Sequence, residues 1–378
     1  MKENLAFIVN ELSFFISHRL ELASQLQKKF KITLITDLAS LETLSDKERD
    51  KLTEFSLIHL SKRKKGNIGS FISHIKKLRS ILKNQNLDRL LFVSFETCLI
   101  ASLFVKLNNL ANYYFLFTGY GPIYKKDLKY GALRTIAKIA FNFAQMRSKK
   151  ITFIFQNQDD LEKASFSKFV SSASMHVIKG SGIEIPLKVK KNFSGPCIYL
   201  FVGSLLRSKG IEEYLSAAKI LKTKIKGSKQ DIKFWVCGKF DLNHFDTIEK
   251  RLFDEMQVDN NFEYFGFLAK NELEDIYRQA TVLVLPSFGE GLPKTALEAA
   301  SFSMPLILSD IPGCRECLIN GESGYLVKKG DPKDLADKMY RLFKSRQLVE
   351  DMGDRSFKYI EKNFSISKIA DQYFSILS

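Results

Sequence analysis

The chain has 378 residues, of which 45% are hydrophobic and 26% charged, and only 8 Pro and 20 Gly, which excludes long disordered or collagen-like tracts. This length predicts two domains rather than one. The net charge of +16 lies in the first half: residues 51–150 hold 19 Lys and Arg against 4 Asp and Glu, whereas residues 201–378 hold 26 of each. Such a segment attracts anionic lipids, phosphorylated lipids or nucleic acid, and a solvated basic surface is the alternative.

Short apolar runs alternate with helical patterns along the first half, which is typical of a parallel sheet covered by helices. Strands are predicted at 5–9, 32–35, 90–93, 113–117 and 151–155. Ser17 is predicted to cap a helix that has Leu20, Ala23 and Leu26 on one face. Further helices are predicted at 68–82 and 128–146.

The second half repeats this pattern after a segment with two prolines, 185–196, which we interpret as a linker. Strands are predicted at 198–202, 234–237, 282–285 and 305–308, and helices at 211–221, 293–300 and 332–343. The predicted fold is therefore α/β, with two Rossmann-like, doubly wound parallel-sheet domains facing a central cleft. Such sheets bind ligands at the carboxyl ends of their strands, so we expect the site in the loops that follow them.

Neither a secretory leader nor a membrane span is expected. The first apolar run is short and is followed by Asn10 and Glu11, and the longest charge-free stretch, 107–124, is interrupted by Asn, Gly and Pro. The five cysteines are mostly dispersed among apolar residues, which favours reduced thiols: Cys98, Cys197, Cys237, Cys314 and Cys317. Because the C-x-x-C at 314–317 has no second cysteine pair and no neighbouring histidine, no metal site is predicted.

The loop at 201–210 joins a predicted strand to a predicted helix and contains Gly203, Arg207, Lys209 and Gly210. Backbone amides at a helix start, together with a lysine, are suited to a diphosphate. The spacing of a P-loop is absent. Taken alone, the loop is equally compatible with a plain helix entry that carries surface cations.

The loop at 286–298 contains Glu290 after a predicted strand and Glu298 eight residues later. In a helix continuous from Glu290, both carboxylates would lie on one side, about 12 Å apart along the axis. Carboxylates accept hydrogen bonds from vicinal hydroxyls such as those of sugar and ribose rings. Pro293 is predicted at the first helical position, which leaves neighbouring amides available to an anion. The alternative is an acidic loop residue, with Glu298 in a surface ion pair.

Several motifs together carry a family resemblance. They are V-G-x-L-x-x-x-K-G at 202–210, S-F-G-E-G-L-P-K-T-A-L-E-A at 287–299, M-P-L-I-L-S-D-I-P-G-C-R-E at 304–316, T-G-Y-G at 118–121, F-Q-N-Q-D-D at 155–160 and G-S-G-I-E at 180–184. With these motifs in this order, the chain resembles family-four retaining glycosyltransferases of the GT-B fold. It is most similar to the subgroup that builds bacterial surface polysaccharides such as capsule and O-antigen.

The resemblance implies that Lys209 holds the diphosphate of the sugar donor and that Glu290 contacts hydroxyls of the transferred sugar, which makes these two the predicted catalytic residues. Glu298 is implied to bind the ribose hydroxyls. The other predicted donor-binding residues are Gly203, Ser204, Arg207, Gly291, Leu292, Pro293 and Lys294. Ser204 stands where the family usually has an arginine, and Arg207, one helical turn on, is the candidate replacement.

Acceptor or cleft residues are predicted in the first half: Asn10, His18, Arg19, Gly119 and Tyr120. His18 is predicted at the start of the first helix, either as an acceptor or phosphate ligand or as a capping-region residue. The family's glycine pair after the first strand is replaced by residues 11–15, and its histidine near the third or fourth strand is absent.

The predicted domains are an acceptor-binding domain at 1–187, a sugar-donor domain at 188–360 and a C-terminal helix, 361–378, that packs back on the first domain. We predict retaining transfer of a hexose or N-acetylhexosamine from a nucleotide sugar, with UDP as the first choice. Because the chain contains no D-x-D motif, the transfer is predicted to be metal-independent, and no cofactor is expected.

The predicted partners are the nucleotide-sugar donor, a lipid-linked saccharide acceptor and the anionic inner face of the cytoplasmic membrane, without nucleic acid. Residues 62–83 and 125–150 are the expected membrane-contact strips of a peripherally bound cytoplasmic protein. The alternatives are an epimerase or phosphorylase with the same fold, and a non-catalytic basic protein that binds membranes or nucleic acid.

Overall fold

The computed structural model describes residues 2–61, 67–105, 111–118, 128–148, 150–166, 174–186, 191 and 195–378. The chain divides into two compact units, one formed by Met1–Gly182 with Ile366–Ser378 and the other by Ile183–Ser365. Part of the predicted linker, 187–190 and 192–194, lies outside the described residues, as do the predicted acceptor residues Gly119 and Tyr120.

The first unit contains a seven-stranded sheet in which every neighbouring pair is parallel. Its strands are β1 (Glu3–Ile8), β2 (Phe30–Thr36), β3 (Ser56–His59), β4 (Arg89–Val93), β5 (Asn112–Phe117), β6 (Ile151–Phe155) and β7 (Met175–Val177), in the order β3-β2-β1-β4-β5-β6-β7. The strand order reverses between β1 and β4, which makes the sheet doubly wound.

Helices cover both faces of this sheet. They are α1 (Leu12–His18), α2 (Leu20–Leu26), α3 (Asp46–Thr53), α4 (Ile68–Asn84), α5 (Phe95–Ser102), α6 (Leu128–Arg147) and α7 (Gln158–Phe166). Alternate strand residues point to opposite faces, so Phe7 lies in one core cluster with α1 and α2, whereas Ile8 lies in the other with α4, α5 and α6. The inner strands are buried on both faces, which is why they are continuous apolar runs.

The second unit repeats this architecture with six parallel strands in the order β10-β9-β8-β11-β12-β13. They are β8 (Cys197–Val202), β9 (Ile232–Cys237), β10 (Phe262–Gly266), β11 (Val282–Leu285), β12 (Leu306–Ser309) and β13 (Gly324–Val327). Its helices are α8 (Ile211–Lys224), α9 (Lys250–Val258), α10 (Lys270–Gln279), α11 (Lys294–Ser301), α12 (Pro312–Arg315), α13 (Pro332–Phe343) and α14 (Arg346–Phe364). The predicted α/β fold with two doubly wound parallel sheets is confirmed.

The last helix, α15 (Ile366–Leu377), belongs to the first unit and packs against α2. Ile369, Ala370 and Tyr373 are buried in the same core cluster as α2. The Arg89 side chain donates a hydrogen bond to the backbone oxygen of Leu377, which fixes the end of this helix beside β4.

Candidate active site

The loops that follow β8 and β11 lie side by side, because these strands are neighbours at the point where the strand order of the second sheet reverses. In the first loop, the Gly203 amide donates to Cys237 O at 2.9 Å and the Leu205 amide donates to Lys239 O at 2.9 Å. These bonds hold the loop to the end of β9. A short 3-10 turn, Arg207–Lys209, then leads into α8.

Gly210 allows the two loops to approach each other closely. It has a φ of 76°, and a Cβ at this position would lie 2.0 Å from Pro286 O. Next to it, the Phe288 amide donates to Ser208 O at 2.9 Å, and the Ser287 hydroxyl donates to the same oxygen at 3.1 Å. A side chain at position 210 would therefore force the loops apart.

Lys209 and Glu290 form an ion pair between the two loops. The distance from Lys209 Nζ to Glu290 Oε1 is 2.7 Å, and the side chains are 34% and 12% exposed. The pair is thus partly shielded from water, which strengthens its electrostatic interaction. It brings together two predicted catalytic residues that are 81 positions apart in the chain.

Two residues of helix α12, Gly313 and Cys314, pack against the loop that contains Glu290. A Cβ on Gly313 would lie 2.3 Å from Gly291 O and 2.5 Å from Glu290 O, so only glycine fits at the observed distance. Cys314 is completely buried beside the ion pair, and burial, reinforced by the charge of Glu290, raises the pKa of its thiol. The thiol is therefore neutral at physiological pH, and sequence analysis had not assigned either residue to the site.

The segment between the two predicted acids is not one helix. Helix α11 begins at Lys294, and Pro293 is its extended N-cap residue, with ψ of 106°. Glu290 lies in the loop, as predicted, so the axial distance for a helix continuous from Glu290 does not apply. The prediction of Pro293 at the first helical position is wrong by one residue. Proline disfavours helical geometry at the residue before it, here Leu292, so the helix does not extend back towards Glu290.

Glu298 lies in α11 and already has two partners. Its Oε1 is 3.3 Å from Lys294 Nζ, and its Oε2 accepts a hydrogen bond from the Tyr277 hydroxyl at 3.3 Å. Burial, together with the charge of Glu298, raises the pKa of Tyr277 well above its usual value, so the hydroxyl remains a donor. This is the ion pair that sequence analysis left open as an alternative, and the role of Glu298 in ribose binding stays a prediction.

The remaining predicted residues of the first loop are at its surface. Ser204 and Arg207 are exposed, and Arg207 Nε is 3.2 Å from Glu212 Oε1. Asp246 fixes the turn from the other side: its backbone oxygen accepts from the Arg207 amide at 2.8 Å, and its carboxylate accepts from the Ser208 amide at 3.2 Å. Asp246 is distant in sequence and no motif marked it. Gly291 and Leu292 are partly buried in the second loop.

The three predicted acceptor residues that the structure describes, Asn10, His18 and Arg19, lie just before α1, at its end and just after it. Asn10 follows β1, and His18 is the last residue of α1 rather than its first, stacked on Phe14 with ring centroids 4.6 Å apart. The predicted cap is also wrong, because the Ser17 hydroxyl donates to Ser13 O inside α1. A serine within a helix can satisfy its hydroxyl on the preceding turn.

Arg19 separates the two helices and is only 2% exposed. Its guanidinium donates a hydrogen bond to the Ser181 hydroxyl, and burial lowers its pKa. Arg19 therefore contributes to the packing of the first unit, and its predicted role towards an acceptor stays a prediction.

Over the residues that the structure describes, no group of three His, Cys, Asp or Glu side chains could hold a metal ion. Within the same ranges, none of the helices combines the length and the apolar character needed to cross a bilayer.

Comparison with known proteins gives a family match in the second unit. Residues 184–359, which comprise nearly all of the second unit, match the family described as glycosyl transferases group 1. The capsular polysaccharide biosynthesis glycosyltransferase CapM of Staphylococcus aureus is 26% identical over 247 residues, covering 64% of this chain and 63% of CapM. The N,N'-diacetylbacillosaminyl-diphospho-undecaprenol alpha-1,3-N-acetylgalactosaminyltransferase of Campylobacter jejuni is 26% identical over 290 residues, 72% of each protein. The alignment with CapM thus spans less than two thirds of that relative.

Solved structures match the fold over the whole chain. Sucrose-phosphate synthase of Thermosynechococcus elongatus has a TM-score of 0.77 at 17% identity, covering 100% of this chain and 98% of that one. Anabaena HepE, solved with UDP and glucose, has a TM-score of 0.76 at 13% identity and 99% coverage of both chains. The chain is thus similar to the group 1 glycosyltransferases within residues 184–359, and it shares the two-domain GT-B fold of these solved structures.

The close contact at Gly313 leads to a testable expectation. We expect Gly313→Ala to destabilise the protein by about 1–3 kcal/mol, because the added methyl group would displace the backbone of Glu290 and Gly291. Urea unfolding measures this change. Gly289→Ala is the matched control, since a Cβ there meets nothing within 4 Å. Equal stability of the two variants would show that the loop has room to move.

Proposed function

We propose that this protein is a retaining, metal-independent glycosyltransferase that moves a hexose or N-acetylhexosamine from a UDP-sugar to a lipid-linked or oligosaccharide acceptor. We place it in the synthesis of a bacterial surface polysaccharide. The observation that carries the proposal is the Lys209–Glu290 pair in the loops after β8 and β11, where a doubly wound sheet binds its ligand.

The start of α11 is the better of two candidate places for the diphosphate. The first turn of α8 contains Glu212 and Glu213, which already complement the positive end of that helix. The first turn of α11 contains no acidic residue, its N-cap Pro293 makes no side-chain cap, and Lys294 is its first residue. A diphosphate at this end would lie beside Lys209, whose ammonium group would exchange Glu290 for the ligand.

The proposed reaction needs charge stabilisation more than it needs a protein nucleophile. The acceptor hydroxyl attacks the anomeric carbon on the face from which the diphosphate leaves, and the leaving phosphate oxygen takes the hydroxyl proton. The bond from the anomeric carbon to the diphosphate breaks as the glycosidic bond forms. Lys209 and the positive end of α11 stabilise the charge that develops on the diphosphate, and Glu290 positions the sugar hydroxyls.

The names of two relatives support the choice of substrates. One is assigned to capsular polysaccharide biosynthesis, and the other acts on a diphospho-undecaprenol-linked sugar and transfers N-acetylgalactosamine. HepE has been solved with UDP-glucose as well as with UDP. A lipid-linked acceptor resides in a bilayer, so we infer a cytoplasmic protein that associates peripherally with the anionic inner membrane through its basic first unit.

A thermal-shift screen with UDP, GDP, ADP and their sugars tests the proposal. A ligand that binds only the folded state at about 100 times its Kd adds about 2.7 kcal/mol, so we expect UDP to raise the Tm by roughly 5 °C or more. Uridine, which lacks the diphosphate, is the matched control and should have little effect. If no nucleotide raises the Tm, or if uridine matches UDP, the proposed diphosphate site is wrong.

A further inference from the structure

Helix α6 of the first unit exposes a stripe of large apolar side chains. Ile136, Ile139, Phe143 and Met146 are 57%, 63%, 51% and 86% exposed. Their spacing of three, four and three residues puts them on one face of the helix. We call these four residues the α6 stripe.

The α6 stripe is not part of the core that α6 builds. Ala137, Phe141 and Ala144 of the same helix are buried against the sheet. At about 100° per residue, the centre of the stripe lies about 150° around the helix from these residues. The helix therefore has one apolar face in the core and a second one directed to solvent, which a helix that only covers a sheet does not need.

Cations accompany the α6 stripe. The helix contains Lys129, Arg134, Lys138 and Arg147 and no acidic residue. Lys138 and Arg147 are exposed, and the guanidinium carbon of Arg147 lies 5.0 Å from the centroid of the Phe143 ring. A positive charge is therefore held directly against the apolar stripe.

Helix α4 is a second basic helix on this face of the sheet. Leu78 and Leu82 of α4 belong to the same core cluster as Phe141 of α6, so both helices cover the same face of the sheet. Like α6, α4 has no acidic residue, and it carries four exposed cations: Lys76, Lys77, Arg79 and Lys83. The sequences of the two helices together contain eight Lys and Arg and no Asp or Glu.

We propose that the α6 stripe inserts into the surface of an anionic lipid bilayer, with the cations of α6 and α4 on the lipid phosphates. Apolar side chains beside Lys and Arg on one helix are the pattern of helices that lie in the membrane interface. Nucleic acid would pair with the cations but would leave Ile136, Ile139 and Met146 of the stripe against a polar backbone. The inference rests on the proposed function, because it identifies the part of the protein that holds the enzyme at a membrane-bound acceptor.

A tryptophan reporter tests insertion directly. Trp235, the single native tryptophan, is buried in the second unit. In the full chain with Phe143→Trp, we expect phosphatidylglycerol vesicles with brominated acyl chains to shift the fluorescence of the introduced tryptophan to the blue and to quench it. Wild-type protein, with Trp235 alone, should stay unquenched. Absence of quenching at position 143, or equal quenching by neutral phosphatidylcholine vesicles, would overturn the proposal.

Vesicle co-sedimentation of two matched double variants tests whether binding depends on the α6 stripe or on exposed apolar side chains in general. We expect Ile139→Ser with Phe143→Ser to weaken partitioning onto phosphatidylglycerol vesicles by about tenfold or more. Val258→Ser with Phe267→Ser, at two residues of the second unit that are each 81% exposed, should bind as wild type does. Vesicle binding by the stripe variant at the wild-type level would overturn the proposal. The proposal would also be wrong if wild type and the control variant sedimented as dimers and the stripe variant as a monomer, because the stripe would then bind a second copy of the chain.

Failure here is distinguishable from failure of the proposed function. Vesicle binding is measured without nucleotide, and the Tm shift with UDP is measured without lipid. If UDP raises the Tm but the α6 stripe does not insert into vesicles, only the membrane proposal is wrong. If the stripe inserts but UDP does not raise the Tm, only the proposed sugar-donor site is wrong.

Discussion

Lys209→Ala is expected to lower the rate of sugar transfer by about 10²–10³-fold, because it removes one preorganised positive charge from the departing diphosphate. The lysine is one third exposed, and its pair with Glu290 lies at the rim of the loops. Loss of such a pair costs about 1 kcal/mol of stability or less, so the variant should fold. Release of UDP from a UDP-sugar in the presence of a membrane lipid extract measures the rate, and thermal unfolding checks the fold.

Lys219→Ala is the matched control for this variant. Lys219 is also an ion-paired lysine of the second unit, with its Nζ 3.2 Å from Glu255 Oε2, but it lies on the outer surface of α8. It should transfer sugar at the wild-type rate. Near-normal transfer by Lys209→Ala would exclude a catalytic role for Lys209.

Glu290→Ala is expected to lower the rate of sugar transfer by a factor similar to that for Lys209→Ala, but for a different reason. In the proposed site Glu290 contacts the hydroxyls of the transferred sugar and not the nucleotide, so its loss leaves the sugar unpositioned. UDP itself should bind Glu290→Gln at least as tightly as wild type, because a carboxylate 2.7 Å from Lys209 competes with the diphosphate for that ammonium group.

Separate measurements of transfer and UDP affinity therefore distinguish Glu290 from Lys209. Glu255→Ala removes the acid of the control pair and should change neither quantity. If Glu290→Gln lost UDP affinity as well as transfer, Glu290 would belong to the nucleotide site, and the assigned contact with the sugar would be wrong.

The sequence predicted the interior strands of both sheets and none of the edge strands. Interior strands such as β8 and β11 are buried on both faces and form unbroken apolar runs that composition reveals. The edge strands β3, β7, β10 and β13 are partly exposed, and β3 mixes polar with apolar residues in Ser56–His59. Their strand geometry depends on the neighbouring strand more than on their own residues.

The candidate site could be predicted only in part, for the same kind of reason. Motif and position placed Lys209 and Glu290 in loops after strands, but their contact depends on β8 and β11 being neighbours, and strand order is a tertiary property. The supports contributed by Asp246, Gly313 and Tyr277 come from a separate loop and from helices α12 and α10. Gly313 belongs to the motif at 304–316, but no motif marked Asp246 or Tyr277. The start of the first helix was misplaced, because Ser17 satisfies its hydroxyl inside α1 instead of capping the helix that carries Leu20, Ala23 and Leu26.

Calorimetric titration with UDP is the most direct test of the central claim, that the loops after β8 and β11 bind a nucleotide diphosphate through Lys209. Hydrogen bonds to charged groups contribute about 1.5–3 kcal/mol, so Lys209→Ala should bind UDP about 10- to 100-fold more weakly than wild type. Lys219→Ala should bind it with wild-type affinity. Equal affinity of wild type and Lys209→Ala for UDP would contradict the claim.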